Sequence, residues 1–196
     1  MKDVFKAKSI FNKRCAILSK FRMEPIESQD KKKKTWHAMA RISFEDGKDP
    51  ICVNCVQLRA TSETFRLTEL KLIEEAFNLV KGQGQIWAGD LNSLSLSDYD
   101  SRALKAIAAE RKAGRLESPK GLVTDRMTSK GLTDARSVAE DVQGPLATVK
   151  NGTRTDFVFC DDNLMERWKV QSVRHVETAA SPHNMVVVEL HDIFTN

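Results

Sequence analysis

No apolar run in this 196-residue chain is long enough to cross a membrane as a helix. Its first residues, MKDVFKAKSIFNKRCAILSKF, lack the unbroken apolar core and small-residue cleavage site of a secretory signal. They are basic and merge into what reads as a strand. Aromatics are scarce, with one tyrosine and three tryptophans, so no platform for stacking bases is evident. Trp36 and Trp168 read as core residues. There are only four cysteines: Cys15, Cys52, Cys55 and Cys160 sit in apolar, strand-like surroundings, as reduced thiols do in an intracellular protein, cytoplasmic or nuclear. Cys52 and Cys55 have C-x-x-C spacing, but within ICVNCVQL, a strand pattern that turns residues i and i+3 to opposite faces. With no second pair, a zinc site is not expected. The same thiols argue against use of the glycosylation sequon at Asn151. The net charge of +4 is modest, and much of the excess is the run Lys31 to Lys34, which reads as a solvated loop.

What remains is an ordinary globular composition at the size of one domain. CAILS reads as a strand. WHAMARISFE and PICVNCVQLRA read as two more, joined by the turn DGKD as a hairpin. From Ser62 to Lys81 the period becomes helical, with Phe65, Leu67, Leu70, Leu72, Ile73, Ala76, Phe77 and Val80 broadly on one face. Thr61 or Ser62 caps that helix, and Gly82 and Gly84 end it. QIWAG is a short buried strand. DSRALKAIAAERKAG and LVTDRMTSKG follow as helices, and RTDFVFC, WKVQSVRHVE and NMVVVEL close the chain as strands. Strands separated by helices, with hairpins at both ends, predict a layered α/β architecture.

Three short stretches at strand ends carry chemistry. In IWAGDLNSL an apolar strand runs through Gly89 into Asp90 and Asn92, which strand periodicity places on one side. The plain alternative is a turn whose acid and amide bond locally to the backbone. In GTRTDFVF, Arg154 and Asp156 share a strand face, which by itself reads as an edge-strand salt bridge. In SPHNMVVVEL, His183 stands before an apolar strand, where a loop residue is the plain reading.

Taken together, these residues resemble a known group. GDLNS is similar to the G-D-F/L-N segment of the endonuclease/exonuclease/phosphatase superfamily, which shares the fold of pancreatic-type deoxyribonuclease. RTDFVF resembles its R-x-D-Y/F-I/V strand, SPHNMVVVEL its terminal S-D-H-x-x-V strand, CAILSKF its G-x-A-I-L-S-R-F strand and CVQL its N-T-H-L strand. The resemblance implies an α/β (α+β) fold: two packed β-sheets flanked by helices, a four-layer sandwich lacking the N-terminal strands. It divides the chain into a basic lead at 1–13, a truncated domain at 14–191 and a tail at 192–196. A full member begins with an Asn-bearing strand and a metal-binding Glu that this sequence does not contain, so the expectation is either a partner chain that completes the sheet or a longer protein of which this sequence is an incomplete version. Gln57 stands where the group has a catalytic histidine, and Pro182 where it has an aspartate.

The implied reaction is magnesium- or manganese-dependent hydrolysis of a phosphoester, in nucleic acid or a phosphorylated small molecule. Carried over by position, Asp90 would orient the attacking water and Asn92 would donate to phosphate. Asp156 would help a metal or hold a histidine, and His183 would contact phosphate or move a proton. Gln57 would add a phosphate hydrogen bond, and Asp90 with Asp156 would be the metal ligands. Because Pro182 removes a carboxylate from His183 and Gln57 cannot shuttle a proton, impaired turnover is expected, with a non-catalytic phosphate- or nucleic-acid-binding descendant as the alternative. The segment SLSDYDSRALKAIAAERKAGRLESPKGLVTD either sets specificity or caps the sheet.

Overall fold

Residues 8–12, 14–26, 37–44, 47–77 and 82–194 are described by the structure, a computed structural model. The Lys31–Lys34 run, Trp36 and Val80 lie outside the described residues, as do the side chains of Ala76 and Phe77.

Alternating and β-branched stretches form the strands that the sequence predicts. β1 (Lys8–Asn12) and β2 (Cys15–Ser19) make a hairpin of their own, β1 falling within the segment read as a basic lead. β3 (Arg22–Pro25) and β4 (His37–Ser43) open the main sheet, and β4 joins β5 (Ile51–Gln57) in the expected antiparallel hairpin. α1 (Glu63–Phe77) then crosses over to β6 (Gln85–Asp90), which pairs parallel to β5. After α2 (Ser101–Ala113) and α3 (Leu122–Ser129) come β7 (Leu132–Asp134), α4 (Ala135–Val138) and β8 (Asp141–Gln143). β9 (Asp156–Asp161), α5 (Asp162–Met165), β10 (Trp168–Val176) and β11 (Met185–Asp192) complete the order.

The six-stranded sheet runs β3-β4-β5-β6-β9-β7, and the three-stranded sheet runs β11-β10-β8. Each mixes parallel and antiparallel pairs, so the class is α/β. One face of the large sheet presents Met39, Cys52, Val56, Trp87, Phe157 and Phe159 to Leu70 and Ile73 of α1 and to Val123 and Met127 of α3. The other presents Ile86 and Val158 to Val170 and Val173 of β10 and to Val186 and Val188 of β11. These contacts assign a helix–sheet–sheet stack, in which each fully buried aliphatic side chain contributes about 1.5–3 kcal/mol. Cys52 packs with the helix-side cluster, while Cys55 packs against Cys15 and Met23 on the opposite side, as an i, i+3 pair on a strand must. No helix among the described residues is long and apolar enough to cross a membrane.

α1 departs from its expected face at one end. Ser62 caps it, its hydroxyl accepting from the Phe65 amide, and Leu70 and Ile73 are fully buried. Phe65, however, is 59% exposed, and the buried stripe at that end carries Glu63 and Arg66. Those charges are tolerated because they are paired. Glu63 Oε2 and Glu117 Oε2 both lie 2.6 Å from Arg66 Nη2. Glu63 Oε1 also accepts from Ser93 Oγ and the Val123 amide, tying α1 to the loop after β6 and to the start of α3.

Candidate active site

β5, β6 and β9 are neighbours in the middle of the large sheet, and their ends define the site. Gln57 is in register with Asp90, and Asp90 is in register with Asp156. Gly89 sets the approach of β6 to β5. At its φ of +142° a side chain is strained, and a Cβ there would lie 1.9 Å from the Val56 carbonyl oxygen. Gly89→Ala is therefore expected to lose about 3 kcal/mol of stability from backbone strain and overlap together. Gly47→Ala, with an open surrounding, should lose about 1 kcal/mol. Urea unfolding of the two variants checks the difference; equal losses would show that the Val56 contact relaxes freely.

Asp90 and Asn92 do meet, though not by strand pleating. The strand ends at Asp90, and Asn92 adopts φ +50°, a left-handed conformation that asparagine tolerates better than most residues. The turn brings the Asn92 amide N–H to Asp90 Oδ1 at 2.9 Å and Asn92 Nδ2 to Asp90 Oδ2 at 2.8 Å. Asn92 Nδ2 also donates to the Leu58 carbonyl at 2.8 Å. The local turn bonding and the functional placement are thus the same structure. Both Nδ2 protons have protein acceptors, so donation to a phosphate requires one of them to change partner.

Burial pushes the Asp90 carboxyl above its ordinary pKa, and the nearby Asp156 charge adds to this against the opposing Asn92 hydrogen bond. Like charges opposite one another on paired strands destabilise a sheet unless a proton or cation compensates. Asp156 in turn accepts from His183: Nδ1 and Asp156 Oδ2 are 2.9 Å apart. This corrects the expectation from Pro182. The carboxylate that orients the imidazole comes from β9 rather than from the residue before the histidine. With Nδ1–H directed at Asp156, Nε2 is left for a ligand.

The supports of this pair were not visible in the sequence. Thr148 is fully buried, and its hydroxyl accepts from the amides of both Thr155 and Asp156, fixing the start of β9. His183 is held by a bridge to Val149, and Asn184 donates to the Thr148 carbonyl at 2.7 Å. Arg154 is the clearest departure. It does not share a strand face with Asp156 in an edge-strand salt bridge: β9 is interior, and Arg154 precedes it, buried. Its guanidinium lies over Phe157 and binds Asp98, at 2.8 Å, and Asp134.

A cavity of about 610 Å³ opens beside the turn and the imidazole, lined by Asn92, Thr155 and His183 and, farther out, by Arg111, Arg115 and Lys150. Gln57 sits at the end of β5 and is not among its lining residues. Arg111 belongs to α2 and Arg115 follows it, so the segment after the motif walls the site.

No protein-family profile and no curated protein sequence matches the chain. Solved structures do. An endonuclease/exonuclease/phosphatase from Bacteroides vulgatus aligns with a TM-score of 0.54 at 17% identity, over 80% of this chain and 55% of that one. The chain has the endonuclease/exonuclease/phosphatase fold. The same fold relates it to a mannosyl-6-phosphatase of Bacteroides thetaiotaomicron, with a TM-score of 0.60, 14% identity, and coverage of 90% and 69%. The human Nocturnin catalytic domain with bound sulfate anion aligns at a TM-score of 0.53 and 14% identity, over 87% of this chain and 60% of that one.

A divalent metal is implied by resemblance to this fold family, and the donor chemistry here fits one. Asp90 and Asp156 are facing carboxylates whose mutual repulsion a cation would relieve. Magnesium needs only one or two protein carboxylates beside water and phosphate oxygens. Among the described residues, no group of three or more His, Cys, Asp or Glu side chains could hold a metal by itself.

Proposed function

We propose that the chain is a metal-dependent phosphoester hydrolase whose working groups are Asp90, Asn92, Asp156 and His183. The observation that carries this reading is the His183–Asp156 pair beside the Asp90–Asn92 turn at the mouth of a ligand-sized cavity. The fold is that of proteins named as phosphatases and nucleases, and one neighbour binds a tetrahedral anion, which agrees with it.

Asp90, once ionised, aligns an attacking water. Its raised pKa lets it accept a proton more readily than an ordinary aspartate does. His183, with Nδ1 fixed by Asp156, presents Nε2 to the phosphate: protonated, it is a charged donor to a phosphate oxygen, and neutral, it accepts from a water or from a P–OH group. Asn92 donates to the same phosphate after releasing an internal acceptor. Asp90 and Asp156 would hold magnesium or manganese, which supplies charge neutralisation at the phosphate oxygens. Gln57 cannot replace a proton-transferring histidine, so slow turnover is expected.

The test is hydrolysis of bis(p-nitrophenyl) phosphate with and without magnesium, beside Asp90→Ala, with thermal unfolding of both proteins in the same buffers. Magnesium-dependent turnover that the variant lacks supports the reading. So does a magnesium-induced rise in Tm confined to the parent chain, worth about 1.4 kcal/mol at ten times Kd. Turnover no greater than that of the variant would exclude a hydrolase. Retained phosphate binding in that case would identify the non-catalytic descendant that Gln57 favours.

A further inference from the structure

The cavity at His183 is much larger than one phosphate requires, and at about 610 Å³ it matches the size of pockets that enclose whole small molecules. Its charge is one-sided. Arg66, Arg111, Arg115 and Lys150 share the lining with a single acid, Glu117. That carboxylate is already engaged by Arg66, by Lys120 and by the Glu63 amide, and Arg66 is also held by Glu63. Arg111 is different. Its Nη1 donates only weakly to the Glu117 backbone carbonyl, at 3.4 Å, and it forms no ion pair among the described residues. Burial, with the nearby Arg66 charge, pushes its pKa down.

Arg115 adds an independent sign. It follows Gly114, the C-cap of α2, and adopts φ +55°, a left-handed position where glycine is relaxed and arginine is strained. Strain of this kind concentrates where a side chain is needed. Lys150 is coupled to the imidazole through the backbone, its amide donating to the Pro182 carbonyl at 3.2 Å.

We propose that the cavity takes a phosphoester bearing a second phosphate on the group attached to the scissile one, and that Arg111, Arg115 and Lys150 receive that second phosphate. This names the substrate class of the proposed hydrolase and rests on that reading for which phosphate is cut. Planar guanidinium groups match phosphate oxygens in pairs, and three cations without acidic partners among the described residues suit a dianion better than a sugar hydroxyl. The segment after the GDLN motif therefore sets specificity and does more than cap the sheet.

The experiment is calorimetric titration of the full chain with thymidine 3′,5′-bisphosphate and with thymidine 5′-monophosphate at low ionic strength, where charge contacts are least screened. The bisphosphate is expected to bind about tenfold or more tightly. In Arg115→Gly/Lys150→Gln the ratio of the two Kd values should fall to about threefold or less, a loss of the charge contacts themselves. Because glycine suits position 115, the double variant should keep the parent Tm, which separates charge from folding. Lys169→Gln, at an exposed position of β10, should keep the full ratio. Equal Kd values in the parent, no binding of either nucleotide, or an unchanged ratio in the double variant would overturn the proposal. A ratio found in a chain that cleaves no phosphoester leaves this inference standing and removes the hydrolase; turnover without a ratio does the reverse.

Discussion

Asp156→Asn is expected to lower kcat by about 10²–10⁴-fold while leaving the protein folded. The aspartate accepts from His183 Nδ1 at 2.9 Å, which fixes both the ring's tautomer and its direction. Asparagine has nearly the same shape, but its amide offers a donor as readily as an acceptor. Where the NH2 faces Nδ1, that nitrogen must accept, so the ring cannot carry both protons and loses the charged Nε2 donor that the mechanism directs at phosphate. A pH profile distinguishes this role from simple packing. In the proposed mechanism Asp90 must be ionised, so kcat/KM is expected to fall as pH drops through its pKa, which burial and then Asp156 hold above the ordinary 3.8. Removing the Asp156 charge takes away one of the upward pushes, and the acid limb of the residual activity should move to lower pH. An unchanged limb would mean that the two carboxylates do not sense each other. A fall of less than about tenfold in kcat would mean that His183 does not depend on Asp156 for its orientation.

Arg154→Ala should cost about 3–5 kcal/mol. The guanidinium is buried and binds two carboxylates, Asp98 and Asp134, whose side chains are 16% and 17% exposed. Truncation leaves both acids poorly hydrated, with only the nearby Arg136 charge to offset their repulsion, and removes the contact over Phe157. Burial already holds the Asp98 carboxyl above its ordinary pKa, even with Arg154 beside it. Without the arginine its folded pKa rises further above the unfolded value. The folded variant then binds more protons than the unfolded chain, and its stability falls as pH rises through that range. The deficit should therefore be larger near about pH 7 than near about pH 4. Urea unfolding at both pH values measures it. A loss below about 1 kcal/mol would place Arg154 with ordinary surface pairs.

How much of this was legible depended on whether the signal was local. Asp90, Asn92, Asp156 and His183 sit at strand ends, where a change from apolar periodicity to polar residues is visible within a few positions. β2, β4, β5, β6, β9, β10 and β11 were read for the same reason, whereas β1, β3, β7 and β8 were not. The orienting role of Asp156 was left open because it depends on two segments meeting, and the proline before His183 suggested that the imidazole had no acid. Arg154 was misread because its partners, Asp98 and Asp134, lie on either side of α2 and α3 in sequence. Phe65 was placed on the buried face of α1 by hydropathy, although Glu63 and Arg66 hold that stripe through a pairing with Glu117 that no helical period announces. The segment after GDLN was open between setting specificity and capping the sheet, because only the fold brings Arg111 and Arg115 into one cavity with Lys150.

The facing of Asp90 and Asp156 has a consequence for how the chain acquires its chemistry. β6 and β9 pair only after the whole segment carrying α2 and α3 has been looped out between them. Closing that loop costs chain entropy before any contact across it repays the loss, and such distant pairings are slow to form. Local pieces, the β4–β5 hairpin among them, involve much nearer neighbours in sequence. A half-folded chain can therefore hold helices and hairpins and still lack the acid pair and the imidazole's anchor. Any ligand that needs both acids and the anchored imidazole therefore meets its site only in the finished topology.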